Sequence, residues 1–285
     1  MSVITKGALF PVALETEIFS KVKGHSTLAK LSGQEALPFN GKDIFTFSAG
    51  KDIQIVAENG EKGDNEGVAT TVKMTPVKVV YQMRVSDEFM YASEEYRLNT
   101  LGAFADGFAK KLASGLDKMA MHGINPFTGS ASTVIGTNHF DAKVTNKVTY
   151  AAGTADTNID DAVALVEGGE YDVNGVALSP TMRSALAALD ANGARKYPEL
   201  AFGGRPETLG AMALDVNATV NADKAIVGDF GAFKWGIARE LPLEVIEYGN
   251  PDGQGDLKQL NQVCLRSEAY IGWAIMDPAA FAIVG

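Results

Sequence analysis

Between residues 94 and 122 apolar side chains return every three or four positions, as Leu98, Leu101, Phe104, Ala105, Phe108, Leu112, Leu116 and Met119. That spacing lays them along one stripe of an α-helix. Ser93 stands where an N-cap belongs, Glu94 and Glu95 occupy the first turn, where the helix dipole favours carboxylates, and Gly123 is placed to stop the helix. At 1.5 Å per residue the predicted helix is roughly 40 Å long. A rod of that length must bury its stripe against other parts of the chain. Gly102, Gly107 and Gly115 cost helix propensity, so their value lies in close packing.

Before the helix, residues 44–85 switch to a period of two. Val77, Val79, Tyr81, Met83 and Val85 alternate with Lys78, Gln82 and Arg84, the pattern of a half-buried antiparallel strand. Its expected partner is the stretch Ile53, Gln54, Ile55 and Val56, which makes residues 58–67 the polar tip of a long hairpin. The first forty residues are apolar but broken by Gly7, Pro11, Gly24, Gly33 and Pro38, with room for one helix around 13–22. Such a segment is too interrupted to form a core and too apolar to float, so it is expected to lie along another surface.

Beyond the helix, residues 125–154 read as loop. Asn158 is expected to cap a helix running to Val166, followed by a strand at Val176, Ala177 and Leu178. Ser179 and Pro180 then start a second helix carrying Met182, Leu186 and Leu189 and stopping at Asn192 and Gly193, which gives an α/β lobe. Strands follow at 211–216, 225–227 and 233–237; two longer ones at 243–248 and 259–273 flank a turn-rich stretch, and the last is 281–284.

A chain of 285 residues that is 46% hydrophobic can bury a substantial core, as one elaborated domain or two lobes. Its formal charge of -10 offers no counterion-release drive toward nucleic acid, so direct DNA reading is not expected. Cys264, the single cysteine, rules out a disulfide scaffold and fits a reducing compartment. No apolar run of about 20 residues and no signal-peptide pattern occur, so the protein is expected to be soluble and intracellular at synthesis, with no membrane contact.

The search for chemistry is largely negative. His25, His122 and His139 are far apart without metal-ligand spacing, and His122 reads as a helix-terminal charge. Gly50 and Lys51 are followed by Asp52 where a phosphate-binding loop needs Ser or Thr, and Gly24 to Leu28 lacks the closing glycine of a nucleophile elbow. Asp252 and Asp256 read as turn residues before they read as cation ligands, and Cys264, between Val263 and Leu265, reads as buried. Trp235 and Trp273 read as core or interface aromatics. No catalytic, cofactor or metal residue is predicted; the abundance of carboxylates leaves a hydrolytic or sugar-modifying enzyme as an alternative of another class.

A hairpin and an apolar arm that find no support within the subunit point to neighbouring copies as the missing surfaces. The candidate contacts between copies are the charged tip (Glu58, Glu61, Lys62, Asp64 and Glu66), the apolar residues below it (Ile53, Ile55, Val72 and Met74) and the second tip (Asn250, Asp252 and Asp256).

The chain resembles the major capsid proteins of tailed bacteriophages, whose α+β Hong Kong 97-type fold is shared with encapsulins. The residues that carry the resemblance run in the family's order over nearly the whole chain. They begin with Gly7-Ala8-Leu9-Phe10-Pro11, Gly24-His25-Ser26-Thr27-Leu28-Ala29 and Ala57-Glu58-Asn59-Gly60-Glu61-Lys62. Pro76-Val77-Lys78, Val85-Ser86-Asp87-Glu88-Phe89 and Leu116-Asp117-Lys118-Met119-Ala120-Met121-His122-Gly123 follow, then Leu178-Ser179-Pro180, Ile226-Val227-Gly228-Asp229-Phe230 and Asp277-Pro278-Ala279-Ala280-Phe281.

The resemblance implies an N-arm at 1–39 and a P-domain over 40–157, containing an extended E-loop (44–84) and the spine helix (94–122). It implies an A-domain at 158–237, a P-domain return at 238–275 with a P-loop (249–257), and a C-terminal strand at 276–285 returning to the A-domain. It further implies self-assembly into hexamers and pentamers of an icosahedral shell that encloses double-stranded DNA without sequence-specific binding. Portal, scaffold and decoration proteins would be partners, with assembly in the host cytoplasm and residence in the virion capsid. The chain lacks a long N-terminal scaffolding segment, which implies a separate scaffold or none. The crosslink known in some relatives would need a lysine such as Lys62 and an asparagine such as Asn250, and is not expected. An encapsulin-like compartment shell is the alternative of the same fold.

Overall fold

The computed structural model describes residues 22, 24–49, 53–63, 67–189, 192–222, 224–238 and 243–285. Most of the expected N-arm, 1–21 and 23, lies outside the described residues, as do Gly50, Lys51 and Asp52 and the tip residues Asp64 and Glu66.

In chain order the elements are α1 (Thr27–Leu31), β1 (Gly33–Gln34), β2 (Lys42–Ala49), β3 (Gly67–Met74), β4 (Val77–Ser86) and α2 (Glu94–His122). Next come β5 (Lys147–Val148), α3 (Ala155–Glu167), β6 (Gly175–Leu178), α4 (Pro180–Leu186), β7 (Thr208–Leu209), β8 (Met212–Val216) and β9 (Ala225–Gly228). The chain closes with β10 (Phe233–Ile237), β11 (Leu243–Ile246), β12 (Gln262–Ile275) and β13 (Phe281–Val284).

Helix α2 has the expected ends. The Ser93 hydroxyl accepts the Tyr96 amide at 3.3 Å, and Gly123, at φ 65°, donates its N–H to the Met119 carbonyl at 2.9 Å. A side chain at Gly123 would also meet the His139 ring at 2.4 Å, so both backbone and space demand glycine there. The stripe is buried from Leu101 through His122, whereas Leu98 is half exposed.

Under the stripe lies a five-stranded sheet in the order β1, β10, β12, β11, with β4 also on β12. Ile271 pairs with both Ile237 and Val77, so β4 flanks β12 on the side away from β10. Val77, Val79 and Tyr81 face the helix, the Tyr81 ring 5.2 Å from Phe104 and 5.9 Å from Phe108 between centroids. Each large side chain buried in this layer contributes about 1.5–3 kcal/mol. Trp235 and Trp273 are buried here, Trp273 donating its indole N–H to the Asn138 carbonyl at 2.8 Å.

The second lobe holds a six-stranded sheet, β5, β13, β9, β6, β8, β7. Ile159 and Val166 of α3 and Met182 and Leu186 of α4 pack on Leu178, Val216, Val227 and Val284. Asn158 does not cap α3: the helix starts at Ala155, and the Asn158 Oδ1 accepts the Ala151 amide at 2.9 Å from inside it. Helix α4 has the expected Ser179 cap but ends at Leu186, not at Asn192, because Leu189 bridges to Arg195 as extended backbone. Strand β10, expected in this lobe, pairs with β12 in the first sheet, so the run of second-sheet strands from β6 stops at Gly228 and the chain returns to that sheet with β13.

The remaining sheet is a two-stranded ribbon, β2 against β3, in register from Lys42↔Met74 to Ala49↔Gly67. The expected pairing of 53–56 with 77–85 is therefore wrong. Strand β4 takes β12 as its partner because its apolar face needs the helix beneath it, and 53–56 lies beyond the ribbon's far end.

Candidate functional site

Among the described residues the ribbon is fastened at its base. Met74 is fully buried against Leu37 and Ala274, with Ile44 and Val72 packed on them. Met74, expected to meet a neighbour, is instead enclosed by its own subunit, and Val72 is half-buried beside it, because the base must be anchored for the ribbon to project. With eight residues per strand the ribbon extends about 26 Å. Along it Phe45 is 79% exposed, and beyond it Ile53 and Ile55 are 93% and 96% exposed. Glu58, Glu61 and Lys62 are exposed around a turn in which Asn59 has φ 72° and Gly60 donates to the Ala57 carbonyl at 2.8 Å.

The second tip is organised by one cation. Arg84, on β4, pairs through its guanidinium with Asp252 and also donates to the Gly255 carbonyl at 2.8 Å, Gln262 at 3.1 Å and Asn250 at 3.4 Å. The Arg84 bond holds the Asp252 carboxyl down at about 2. Asp256 accepts the amides of Lys258 and Gln259 at 2.9 and 3.2 Å. Asn250, Asp252 and Asp256 all use their polar groups to shape the loop, so what it presents outward is its form.

A third cluster binds the two lobes to the chain entering them. Asp117, on the buried stripe of α2 and fully inaccessible, accepts four bonds: the Ser26 hydroxyl at 2.6 Å, the Thr27 and Leu28 amides at 2.9 and 3.1 Å, and the Thr219 hydroxyl at 2.9 Å. Burial pushes its carboxyl up to about 6 against the pull of these donors. Asp215, on β8, takes the Thr27 hydroxyl at 2.6 Å and the Lys30 ammonium at 2.9 Å. His122 sits between the Asp141 carboxylate, 2.8 Å from Nδ1, and the Thr219 carbonyl, 2.9 Å from Nε2. Burial opposes charge on Asp141, but His122 and Lys224 together hold its carboxyl below the ordinary range.

Among the described residues no three of His, Cys, Asp and Glu are grouped to hold a metal ion, and no helix is long and apolar enough to cross a membrane. Cys264 is buried, which raises its thiol and keeps it protonated, and burial likewise lowers His139.

Sequence reasoning passed over Asp117 and Arg84. A signal for the first was present: Asp117 shares a helix face with Ala113, Ala120 and Met121, where a carboxylate needs donors from elsewhere. Arg84 looked like the polar side of an alternating strand, and nothing local marks its partners, some 170 residues away.

A model of the phage capsid family matches residues 6–285. Among solved structures, a chain of Mycobacterium phage Ogopogo is 33% identical, with 91% of each chain covered and a TM-score of 0.78. A chain of Gordonia phage Cozz is 24% identical over 91% of this chain and 86% of that one, with a TM-score of 0.74. The capsid of an empty GTA particle shares the fold at 16% identity, 91% and 89% coverage and a TM-score of 0.65. No curated protein matches the sequence.

Proposed function

The chain belongs to the phage capsid family and is a major capsid protein, a subunit of the phage shell, and on that premise we propose that its β2–β3 ribbon clamps a neighbouring copy. The observation that supports this is the ribbon itself: two strands that pair with no other strand among the described residues, ending in Ile53 and Ile55 almost wholly in water. A free two-stranded ribbon is marginal in water, and exposed isoleucines at i and i+2 gain only by meeting another surface. Rings of five and six copies give every ribbon such a surface.

In this reading the shell encloses double-stranded DNA without reading it, which suits a chain of formal charge -10. The subunit works structurally, without a catalytic step, since Asp117, His122, Asp141 and Asp252 are all committed to holding its parts together. Portal, scaffold and decoration proteins act on the assembled rings, and assembly takes place in the host cytoplasm. Light scattering on the purified protein should give particles of shell or ring size. A monomer at every concentration and salt, including after co-expression with the neighbouring phage genes, would overturn the proposal.

A further inference from the structure

Between α2 and β4 lies an open groove of about 670 Å³, within the size range of small-molecule sites. Its floor is apolar, made by Val79 and Tyr81 of β4 and by Phe108 and Leu112 of α2. From Phe108 to Met119 it follows the helix for about 16 Å, the reach of a medium-length alkyl chain. A chain laid along it removes apolar surface from water on both sides.

One end of the groove is polar. Lys118 lines it from α2, with Asn125 and Ser132 from the loop that follows the helix. Asn125 spends its side-chain carbonyl on the Phe127 amide at 3.0 Å, which leaves its own N–H groups to donate. Lys118 is half-buried and has no ion pair among the described residues, although the chain's formal charge is -10. An ammonium partly withdrawn from water and lacking a counter-ion attracts an anion more strongly than one at the open surface. Lys111, two helical turns away and also unpaired among the described residues, adds to the positive potential along the rim. An apolar trough ending at a cation and two hydrogen-bond donors selects a single-chain anionic amphiphile. We propose that the unassembled subunit binds one medium-chain carboxylate in this groove, its headgroup on the Lys118 ammonium and the Ser132 hydroxyl and its tail along Leu112 and Phe108 against Tyr81. The inference is independent of the shell reading, since the groove belongs to a single copy.

Calorimetric titration of the unassembled full chain with laurate, kept below its micelle concentration, tests this with variants whose melting matches the parent's. The parent should take up a single equivalent. Lys118→Glu should weaken laurate about tenfold; if that variant melts early, Lys118→Gln takes its place with a loss of about threefold. Lys110→Glu makes the same charge change at an exposed position outside the groove and should stay within about twofold of the parent. Dodecyltrimethylammonium, with a tail of similar length and the opposite charge, should bind the parent about tenfold more weakly than laurate and gain on Lys118→Glu. Ser114→Trp, which fills the trough from α2, should abolish uptake. Several equivalents of laurate, equal binding of the two amphiphiles, or an equal loss in Lys110→Glu would reduce the effect to adsorption or overall charge and overturn the site. Uptake onto phosphatidylglycerol vesicles that depends on Lys118 would make the groove a membrane contact and overturn it as well.

Discussion

Replacing Asp117 by alanine should cost the unassembled subunit about 3–5 kcal/mol. The figure follows from the four donors that lose their acceptor. The Ser26 and Thr219 hydroxyls can rotate toward other acceptors, but the Thr27 and Leu28 amides are fixed by the first turn of α1 and would be stranded. Each stranded amide costs about 1–3 kcal/mol, and loss of charge-assisted bonds adds to that. Against a total stability of about 5–15 kcal/mol this is a large fraction, and it falls where the N-terminal segment enters the fold. Urea unfolding reads the loss, and hydrogen exchange at Thr27 and Leu28 reports whether α1 detaches first. A loss below about 1 kcal/mol with both amides still protected would refute the assignment of Asp117 as the anchor. Asp117→Asn supplies the pH arm. Burial raises the folded carboxyl from 3.8 to about 6, so the folded subunit holds this proton more firmly than the unfolded chain does. The group's contribution is full below the unfolded value and is lost as the pH climbs through about 6, a swing of about 3 kcal/mol. The parent should gain on the asparagine variant by that amount between neutral pH and about 4, and a flat difference would show that the carboxyl is not raised.

Three other outcomes follow from the same structure. Leu112→Asp places an unpaired charge in the layer between α2 and the sheet and should cost several kcal/mol, abolishing soluble subunits; normal particles from this variant would mean the buried face is misassigned. Arg84→Ala should loosen residues 249–257, seen as faster amide exchange at Gln254 and Gly255, and should return the Asp252 carboxyl from about 2 to its ordinary range; an NMR titration that still finds it depressed would deny the Arg84 clamp. Since Asp252 is lowered, the stability it confers is present above the unfolded carboxylate range and disappears as the pH falls toward about 2. Replacing residues 58–67 with an Asn-Gly turn should leave the subunit's cooperative melting unchanged and lower the denaturant concentration at which shells dissociate; a misfolded subunit, or shells as firm as the parent's, would count against an intersubunit role.

What the sequence revealed was what local chemistry specifies. Helix α2 could be placed to the residue because its stripe, the Ser93 cap and the Gly123 stop all lie within it. Strands β10 and β13 were equally plain as alternating or continuous apolar runs bounded by turns. Partners were not legible, because a period of two says that a strand is half buried without saying on what: β4 pairs with β12 across most of the chain, and β10 joins the sheet of β12 although it directly follows a strand of the other lobe. For the same reason the tip residues Glu58, Glu61 and Lys62 were identified as exposed, whereas Met74, of the same apolar character as Ile53, turned out to anchor the ribbon's base. The Asp117 cluster joins residues about a hundred positions apart and is visible only once α1, α2 and the turn at Thr219 are brought together.

The most direct test of the account is an image reconstruction of assembled particles at a resolution that traces the backbone. Closed shells are expected in which each β2–β3 ribbon leaves its own subunit and lies on the five-stranded sheet of the next. A reconstruction in which the ribbon folds back on its own subunit, or stands free in solvent while the shell closes through other contacts, would contradict it.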